Sequence, residues 1–512
     1  MSDPTDVIVL GAGTTGLATA KLLADKGVRV ALVDPYRIAA SQPRASHLDD
    51  ETMRIMQAVG ASDLEPTFMK LTAGKYAFYN AHEQLVRYMP WRPDPTEQGW
   101  YSDYQFFQPD FENMLRGRLH DAPTAELWLG WRAYDIAQTD GSVSVSVRNE
   151  RTGEERVITA RYLVGSDGAR SLARSVSDTE VEDLHGSHRS LILDVYPFVP
   201  SETVPDDDAF IKMIPPNAVT VLRIGRGAVR MEWLLNPRDK TEDFEQPERW
   251  YDLIRPYYAP GDYRILRGDV YAWNSLLPRK WRDRNVLLAG DAAHQMPPHL
   301  GQGMGSGLRD AMNLSWKLAA CVHGTADESL LDTYQSERYP HVRVYVEGAV
   351  AAANGVEFMT ENPGDKGEPP EPMVALMPLP PLGAGLHGRT EGAAGAMSIQ
   401  PSLLDGRRLD DAVGYSFAVL GDPALLADVS PATEAAWQAV GAAVLTEVPP
   451  PLRSWLGEHD ADAVIVRPDR YVFGAAASAA ELDDLTERLT ASLQGRPIGA
   501  AADEPASAAA QS

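Results

Sequence analysis

Short, mostly apolar stretches that close on a glycine or an acid recur along this chain. They are Val7-Ile8-Val9-Leu10 before Gly11, Val28 to Val33 before Asp34, Val157 to Val164 before Gly165-Ser166-Asp167, and Val286-Leu287-Leu288-Ala289 before Gly290-Asp291. Such runs suit parallel strands buried on both faces. Between the first two, Leu17, Ala20, Leu23 and Ala24 share one helical face, which predicts a helix from about Thr14 to a stop at Gly27. Further helices are expected from about Asp49 (apolar side Leu48, Met53, Met56, Val59), over Phe111 to Leu119, and over about Leu308 to Val322.

Elsewhere the pattern alternates. Glu126 to Trp131 and Ser142 to Val147 read as strands, with Arg151 to Glu154 as a hairpin turn, and Lys75 to Tyr104 reads as a strand pair with an aromatic, proline-rich loop. From about Arg189 to Ser275 short alternating segments, such as Leu191 to Val195, Thr220 to Ile224 and Ala228 to Trp233, are separated by Pro- and Gly-bearing turns. That argues for an antiparallel sheet inserted between two pieces of the first domain. Near the C-terminus, strands at Ser416 to Leu420 and Ala463 to Val466 with helices near Thr433 to Leu445 and Ala480 to Leu493 make a small α/β unit. The expected organisation is α/β: a Rossmann-type domain over 1–188 and 276–361, an antiparallel-sheet substrate domain over 189–275, a linker or cleft loop over 362–397, a small domain over 398–498, and a disordered tail over 499–512.

Gly11, Gly13 and Gly16 give G-x-G-x-x-G spacing between the first strand and its helix, with Thr15 inside the turn. Gly11 permits the tight turn, Gly13 leaves room for a pyrophosphate, and Gly16 lets the helix pack closely. Free N–H groups and the positive helix end favour phosphate oxygens there, and Asp34 can accept from a ribose diol. The order strand, turn, helix, strand, acid makes this a dinucleotide fingerprint, one that FAD and NAD share. Arg44, just before the next helix, could pair with a diphosphate or form a structural salt bridge.

Composition narrows the field. At 512 residues the chain holds two or three domains, and 44% hydrophobic with 23% charged residues is ordinary for a soluble protein. A net charge of −25 argues against nucleic acid or an anionic membrane surface as partner. A single cysteine, Cys321, rules out intramolecular disulfides, a cysteine-based zinc site and an iron–sulfur cluster. With no long apolar run and no signal peptide before the first strand, a cytoplasmic location is expected. The stretch Pro297-Pro298-His299-Leu300-Gly301-Gln302-Gly303-Met304-Gly305-Ser306-Gly307 then bares the backbone immediately before a long helix. A second glycine-rich helix start, with acids at three strand ends (Asp34, Asp167, Asp291), exceeds the needs of NAD and fits FAD lying extended across the sheet.

Three motifs in order, GAGTTG with Asp34, Gly-Ser-Asp-Gly-Ala-Arg-Ser, and Ala-Gly-Asp-Ala-Ala-His…Pro-Pro…Gly-Gln-Gly, resemble the single-component FAD-dependent aromatic hydroxylases, the p-hydroxybenzoate hydroxylase group. Within it, PRASHLDDETMRIMQAVGA, GLRDAMNLSWKLA, LLDTYQSER and VIVRPDRYV are similar to 3-(3-hydroxyphenyl)propionate hydroxylases and related phenol hydroxylases. The resemblance implies a thioredoxin-like C-terminal domain, which here carries no C-x-x-C. It implies Asp34 at the adenosine ribose, Arg44 at the diphosphate, and Gln108 at the flavin's ribityl or phosphate region. Asp167 would serve both FAD and the passing nicotinamide. Gly290 and Asp291 would lie at the ribityl chain, while Pro298, Gly301, Gly303 and Met304 would line the isoalloxazine. Tyr271 would face the substrate. Two positions depart from the group's pattern: Gly305 stands where an Asn is usual, and Ser46-His47 where some phenol hydroxylases carry an acid.

The implied reaction is NAD(P)H reduction of FAD, capture of O2 as a flavin C4a-hydroperoxide, and OH transfer ortho or para to a phenol. The protein would position the ring, exclude water and assist phenol deprotonation. His47 and Tyr271 are candidates for that assistance, the alternatives being a solvated histidine and a packed tyrosine. His294 and His299 are expected to shape the flavin loop. Arg189, Arg223 and Arg230 are candidate cations for a substrate carboxylate. No second nucleotide fingerprint distinguishes NADH from NADPH. A homodimer is a candidate assembly. Other readings are a hydroxylase tailoring polycyclic aromatics, an FAD oxidoreductase that inserts no oxygen, and a non-enzymatic flavin module.

Overall fold

These apolar stretches form the centre of a six-stranded sheet in the computed structural model, which describes residues 5–204, 209–362, 371–372, 380–388 and 392–496. Val286–Leu288, Tyr162–Gly165, Val7–Leu10, Val30–Asp34 and Ala125–Leu129 run parallel in that order, and Arg282–Asp283 closes one edge antiparallel. The first four are buried throughout, which is why they show no alternation. Helices Thr14–Asp25, Gln108–His120 and Gly303–Val322 contribute to the same apolar core.

The run Val157 to Val164 is two strands rather than one. Glu155–Ala160 belongs to a three-stranded antiparallel sheet with Ser142–Asn149 and Trp131–Thr139, whereas Tyr162–Gly165 enters the parallel sheet. Arg161 marks the crossing: its N–H donates to the Asp6 carbonyl, and its guanidinium pairs with Glu328. Trp131–Thr139 escaped the sequence pattern because it is largely exposed and has no continuous apolar side.

The alternating segments build an eight-stranded sheet in the order Tyr263–Trp273, His188–Pro197, Val229–Leu235, Val219–Arg223, Ala209–Lys212, Lys75–Tyr79, Leu85–Pro90 and Glu371–Pro372. This sheet is not confined to 189–275. Lys75–Tyr79 joins it by parallel pairing with Ala209–Lys212 and brings its hairpin partner along. One face, with Leu191, Leu193, Met231, Trp233 and Val221, is buried against Phe244, Ile254 and Tyr258. The other face is free to carry polar chemistry.

Near the C-terminus four strands run in the order Ala443–Leu445, Ala418–Gly421, Ala463–Val466, Val472–Ala476; the first pair is parallel and the others antiparallel. With helices Pro431–Ala439, Pro450–Glu458 and Ala479–Leu493 interposed or following, this is a thioredoxin-like topology. The helix expected over Thr433 to Leu445 stops at Ala439. Gly441, at φ +62, turns the chain, and Ala443–Leu445 becomes a strand. Much of 362–397 and all of 499–512 lie outside the described residues. Residues 380–388 pack inward: Leu386 is buried, and its N–H donates to Glu337 Oε1 at 2.7 Å. Among the described residues no helix is long and apolar enough to cross a membrane, and no cluster of side chains could hold a metal ion. Cys321 is free and buried, and burial pushes its thiol up to about 12.

Candidate functional site

The carboxyl ends of the parallel strands and the polar face of the eight-stranded sheet enclose one cavity of about 530 Å3. At its first end the three fingerprint glycines do different work. A Cβ on Gly11 (φ +96) would strike the Ser166 carbonyl, and one on Gly16 would strike the Gly11 carbonyl. Both serve close packing. Gly13, with Thr14 and Thr15, lines the cavity, and a Cβ there would meet only Arg44 Nη2, at 3.4 Å. Asp34, 8% exposed, accepts from Ala12 N and Tyr36 N, each at 2.7 Å, one through each oxygen. Each oxygen keeps a lone pair for a ribose hydroxyl.

Arg44 leans over the Gly13 turn with a 62% exposed side chain, and its ion pair with Glu112 is long, at 3.9 Å. Gln108 holds the loop that presents it: its Oε1 accepts from Arg44 N and Ala45 N at 2.9 and 2.7 Å, while Nε2 donates to Glu112 at 2.7 Å. Arg116 was missed from sequence. Its Nη2 donates to the Ala12 carbonyl at 3.0 Å, and its Nε and Nη1 are buried without a partner among the described residues. The spacing Gln108, Glu112, Arg116 on one helix face is the signal that would have found it. An open Cβ-less turn, a cation above it and unsatisfied guanidinium donors beside it fit a dinucleotide diphosphate.

Asp167 does not line the cavity. Its carboxylate accepts from Ser171 Oγ at 2.5 Å, Leu172 N at 2.6 Å and Ala173 N at 3.2 Å, capping the helix Leu172–Val176. Its neighbours Ser166, Gly168 and Ala169 form the wall instead. Asp291 faces the cavity. Gly290 (φ +59) is needed because a Cβ would press on Thr15 Oγ1 at 2.8 Å. His294 Nε2 pairs with Asp310 Oδ2 at 2.6 Å, and Asp310 also accepts from Gly290 N and Arg338 Nε, each at 3.0 Å. This buried network fixes the loop.

The long helix starts at Gly303, a turn and a half before the expected Leu308. Its glycines serve close approach: a Cβ on Gly307 would run into Thr15 Oγ1, and one on Gly305 would crowd Arg309 and Thr52. Pro298, Gly301 (φ +65), Gly303 and Met304 all line the cavity. His299 is half-buried and meets Trp273 edge to face with ring centroids 5.3 Å apart; desolvation, with His188 nearby, lowers its pKa to about 4.

His47 and Tyr271 also stand on the cavity wall. His47 Nε2 lies 2.8 Å from Asp103 Oδ1, because the strand His47–Asp49 pairs antiparallel with Asp103–Gln105. Burial opposes the imidazolium, but the hydrogen bond and charge of Asp103, with Asp49 and Asp50, raise the His47 pKa. A carboxylate on Nε2 selects the tautomer with Nδ1 as acceptor. That nitrogen faces the flavin-loop glycine: a Cβ on Gly301 would lie 3.3 Å from it. Asp103 is the carboxylate that Ser46-His47 lacked in sequence. Tyr271 is 50% exposed, and burial with the Asp291 charge raises its hydroxyl pKa, with Arg44 pulling back.

On the polar sheet face, pairing register sets charges in rows. Arg267, Asp194 and Arg230 stand side by side, and the next row holds Asp269, Ile192, Glu232 and Thr220. Arg230 grips Asp194 through Nε and Nη2 at 2.8 and 3.1 Å and also donates to the carbonyls of Pro43 and Arg44. Of the three arginines expected to meet a substrate carboxylate, Arg230 alone lines the cavity. Arg189 is bound to Thr241 and to the Asn236 and Asp239 carbonyls.

A family model described as "FAD binding domain" matches residues 4–349, and one described as "HcaD C-terminal domain" matches residues 395–492. The chain is 31% identical to a "Probable NADH-specific resorcinol 4-hydroxylase" of Rhodococcus jostii (strain RHA1), covering 96% of each chain. It is 30% identical to a "3-(3-hydroxy-phenyl)propionate/3-hydroxycinnamic acid hydroxylase" of Mycolicibacterium gilvum (strain PYR-GCK), over 95% of this chain and 92% of that one. Among solved structures, the flavin-dependent monooxygenase PieE with FAD and substrate matches with a TM-score of 0.77 at 20% identity, over 97% of this chain and all 100% of that one. Aklavinone-11 hydroxylase with FAD and aklavinone also matches with a TM-score of 0.77, at 23% identity over 96% of this chain and 100% of that one. At these identities the two structures share the fold.

Proposed function

The chain belongs to the FAD-binding-domain family of FAD-dependent aromatic hydroxylases, and from that membership we propose that it hydroxylates a single-ring, meta-substituted phenol with NADH as reductant, His47 taking the phenolic proton. FAD held here would supply the electron transfer from the nicotinamide to O2 on which ring hydroxylation depends. Everything else is done by the chain. The Gly13 turn, Arg44 and Arg116 would hold the diphosphate, and Asp34 the ribose. Asp291 would meet the ribityl chain, while Pro298 and the Gly301–Gly303 backbone would line the flavin ring. Apolar walls at Leu71, Met89, Trp91 and Trp273 keep water from the reacting carbon.

The phenol is a better nucleophile once deprotonated. His47 Nδ1 accepts that proton, and Asp103 holds the ring in the accepting tautomer and stabilises the imidazolium. Tyr271, kept protonated by burial, is placed to donate to the phenolate or relay its proton. The relatives' names give resorcinol and 3-(3-hydroxy-phenyl)propionate as substrates, both phenols with a meta substituent, and a name specifying NADH supports that reductant.

The observation that carries this reading is the His47–Asp103 pair facing the same cavity as the dinucleotide turn. His47→Ala is expected to lower coupled hydroxylation by about 10^2-fold, with NADH oxidation diverted to H2O2 and FAD content retained. Product formed per NADH, with H2O2 measured alongside, checks it. If His47→Ala and Tyr271→Phe both keep wild-type coupling, the assignment is wrong.

A further inference from the structure

The sheet wall of the cavity carries a guanidinium with no assigned purpose. Among the described residues three arginines line the cavity, Arg44, Arg230 and Arg267. Arg44 stands over the dinucleotide turn. Arg230 spends Nε, Nη1 and Nη2 on Asp194 and on the Pro43 and Arg44 carbonyls. Arg267 makes no hydrogen bond among the described residues, and its buried Nε is left without a partner. Asp194 lies 3.2 Å from that nitrogen without hydrogen-bond alignment, and Asp269 lies 3.7 Å away. Asp194 is fully buried and already held twice by Arg230. Asp269 is 65% exposed and stands off the cavity wall, so water screens most of its charge. The Arg267 fork is therefore unspent.

Its surroundings favour an anion. Burial lowers the Arg267 pKa, Arg230 adds to the drop, and Asp194 only partly offsets it. A carboxylate from the substrate would complete the compensation, because its two oxygens match the planar fork. Glu232, one row away, lines the same cavity; burial pushes its pKa up, which eases its neutralisation beside a bound anion. Position narrows the class of ligand. Tyr271 and Arg267 stand four residues apart on one face of the strand Tyr263–Trp273, a backbone span of ~13 Å. Ile192 of the neighbouring strand lies in the row between them and gives that stretch of the cavity an apolar floor. With the phenolic oxygen at Tyr271, a carboxylate bonded directly to the ring falls short of that span. One carried on a short chain reaches it.

We propose that Arg267 is the specificity-determining residue of this site, receiving the carboxylate of a phenol whose acid is carried on a short side chain. This rests on the hydroxylase reading above and names its substrate class.

The test uses the FAD-loaded full chain with 3-(3-hydroxyphenyl)propionate, its neutral propionamide and 3-hydroxybenzoate. Binding is read from the change in flavin absorbance on titration, and turnover from product formed per NADH. The propionate is expected to show a kcat/KM roughly tenfold or more above both the propionamide and the benzoate. Arg267→Met, or Arg267→Gln if the first variant loses FAD, should bring the propionate-to-propionamide ratio close to one through KM rather than kcat. A propionamide that matches the propionate in the parent chain overturns the proposal. So does a ratio that the FAD-loaded variant leaves unmoved, or a benzoate that matches the propionate. If the propionamide alone is hydroxylated, the hydroxylase reading stands and this inference falls. If none of the three is hydroxylated, yet the propionate shifts the flavin spectrum and the variant abolishes that shift, the anion site stands and the hydroxylase reading falls. If there is neither turnover nor a spectral shift, both fall.

Discussion

Proton affinity at two neighbouring side chains governs how this site responds to pH. His47 must be neutral to accept a proton, and its pKa is raised in the folded chain, so turnover is expected to rise with pH through an inflection above the ordinary histidine value. Asp103→Asn removes the nearest charge and leaves at most a neutral hydrogen bond, and should move that inflection down while lowering kcat by roughly tenfold; a pH profile of kcat/KM compared between the two proteins decides it. Asp50 acts on stability instead. Burial and the Asp49 charge push its carboxyl up to about 7, against the Thr96 hydrogen bond of 2.6 Å. The folded state therefore binds this proton more tightly than the unfolded one, whose value is near 3.8. Its stabilising contribution is complete below that unfolded value and is lost as pH climbs toward 7. Asp50→Asn should be more stable than the parent at pH 8, by roughly 1–2 kcal/mol, and should flatten the slope of stability between the two values in urea titrations. At this scale the sequence showed His47 and Tyr271, because their residue types announce chemistry. It hid Asp103 and Arg116, because an acid or an arginine in an ordinary strand or helix stands out only when folding supplies its neighbour.

Elements were legible where burial is uniform and obscure where the chain changes partners. Val7–Leu10 and Val286–Leu288 were readable because a strand covered on both faces must be apolar throughout. The Arg161 crossing was not, since Ala160 and Tyr162 are both buried, in different sheets. The start of the helix Gly303–Val322 was misread for a related reason. Glycine ordinarily weakens a helix, yet here Gly307 lets the first turns lie against Thr15 of the dinucleotide-binding helix. Gly307→Ala should overpack that crossing at a cost of about 1–3 kcal/mol and weaken FAD binding correspondingly. Equilibrium dialysis with FAD would show this, and adding Thr15→Ala to the same chain should restore part of the affinity.

Across the whole molecule, buried charge joins the C-terminal unit to the catalytic one. Arg54 grips Asp410 through Nε and Nη2 at 2.9 and 3.0 Å, and Arg470 adds a contact at 3.2 Å. Arg467 binds Glu337 and Asp469, with Lys317 on the same Glu337. Ion pairs this deep mainly prevent an unpaired charge from being buried, so removing one partner is the damaging change. Asp410→Ala strands two arginines and should cost about 3–5 kcal/mol, read as an earlier thermal transition that releases FAD. The pairs that cross between the units were not visible in the chain, because Arg54 and Asp410 stand 356 residues apart and Arg467 and Glu337 130.

The helix Asp50–Ala58 shows what that joining entails. It follows directly on the strand that carries His47, and its Glu51 accepts from Tyr471 at 2.9 Å while also pairing with Arg309. The terminal unit therefore buttresses the segment that carries His47, the proposed proton acceptor. A chimera that grafts this segment from a distant cousin would express as a yellow protein whose imidazole is slightly misaimed, burning reductant without making product. Transplantation would succeed only when Tyr471, Asp410 and their counterparts travel together.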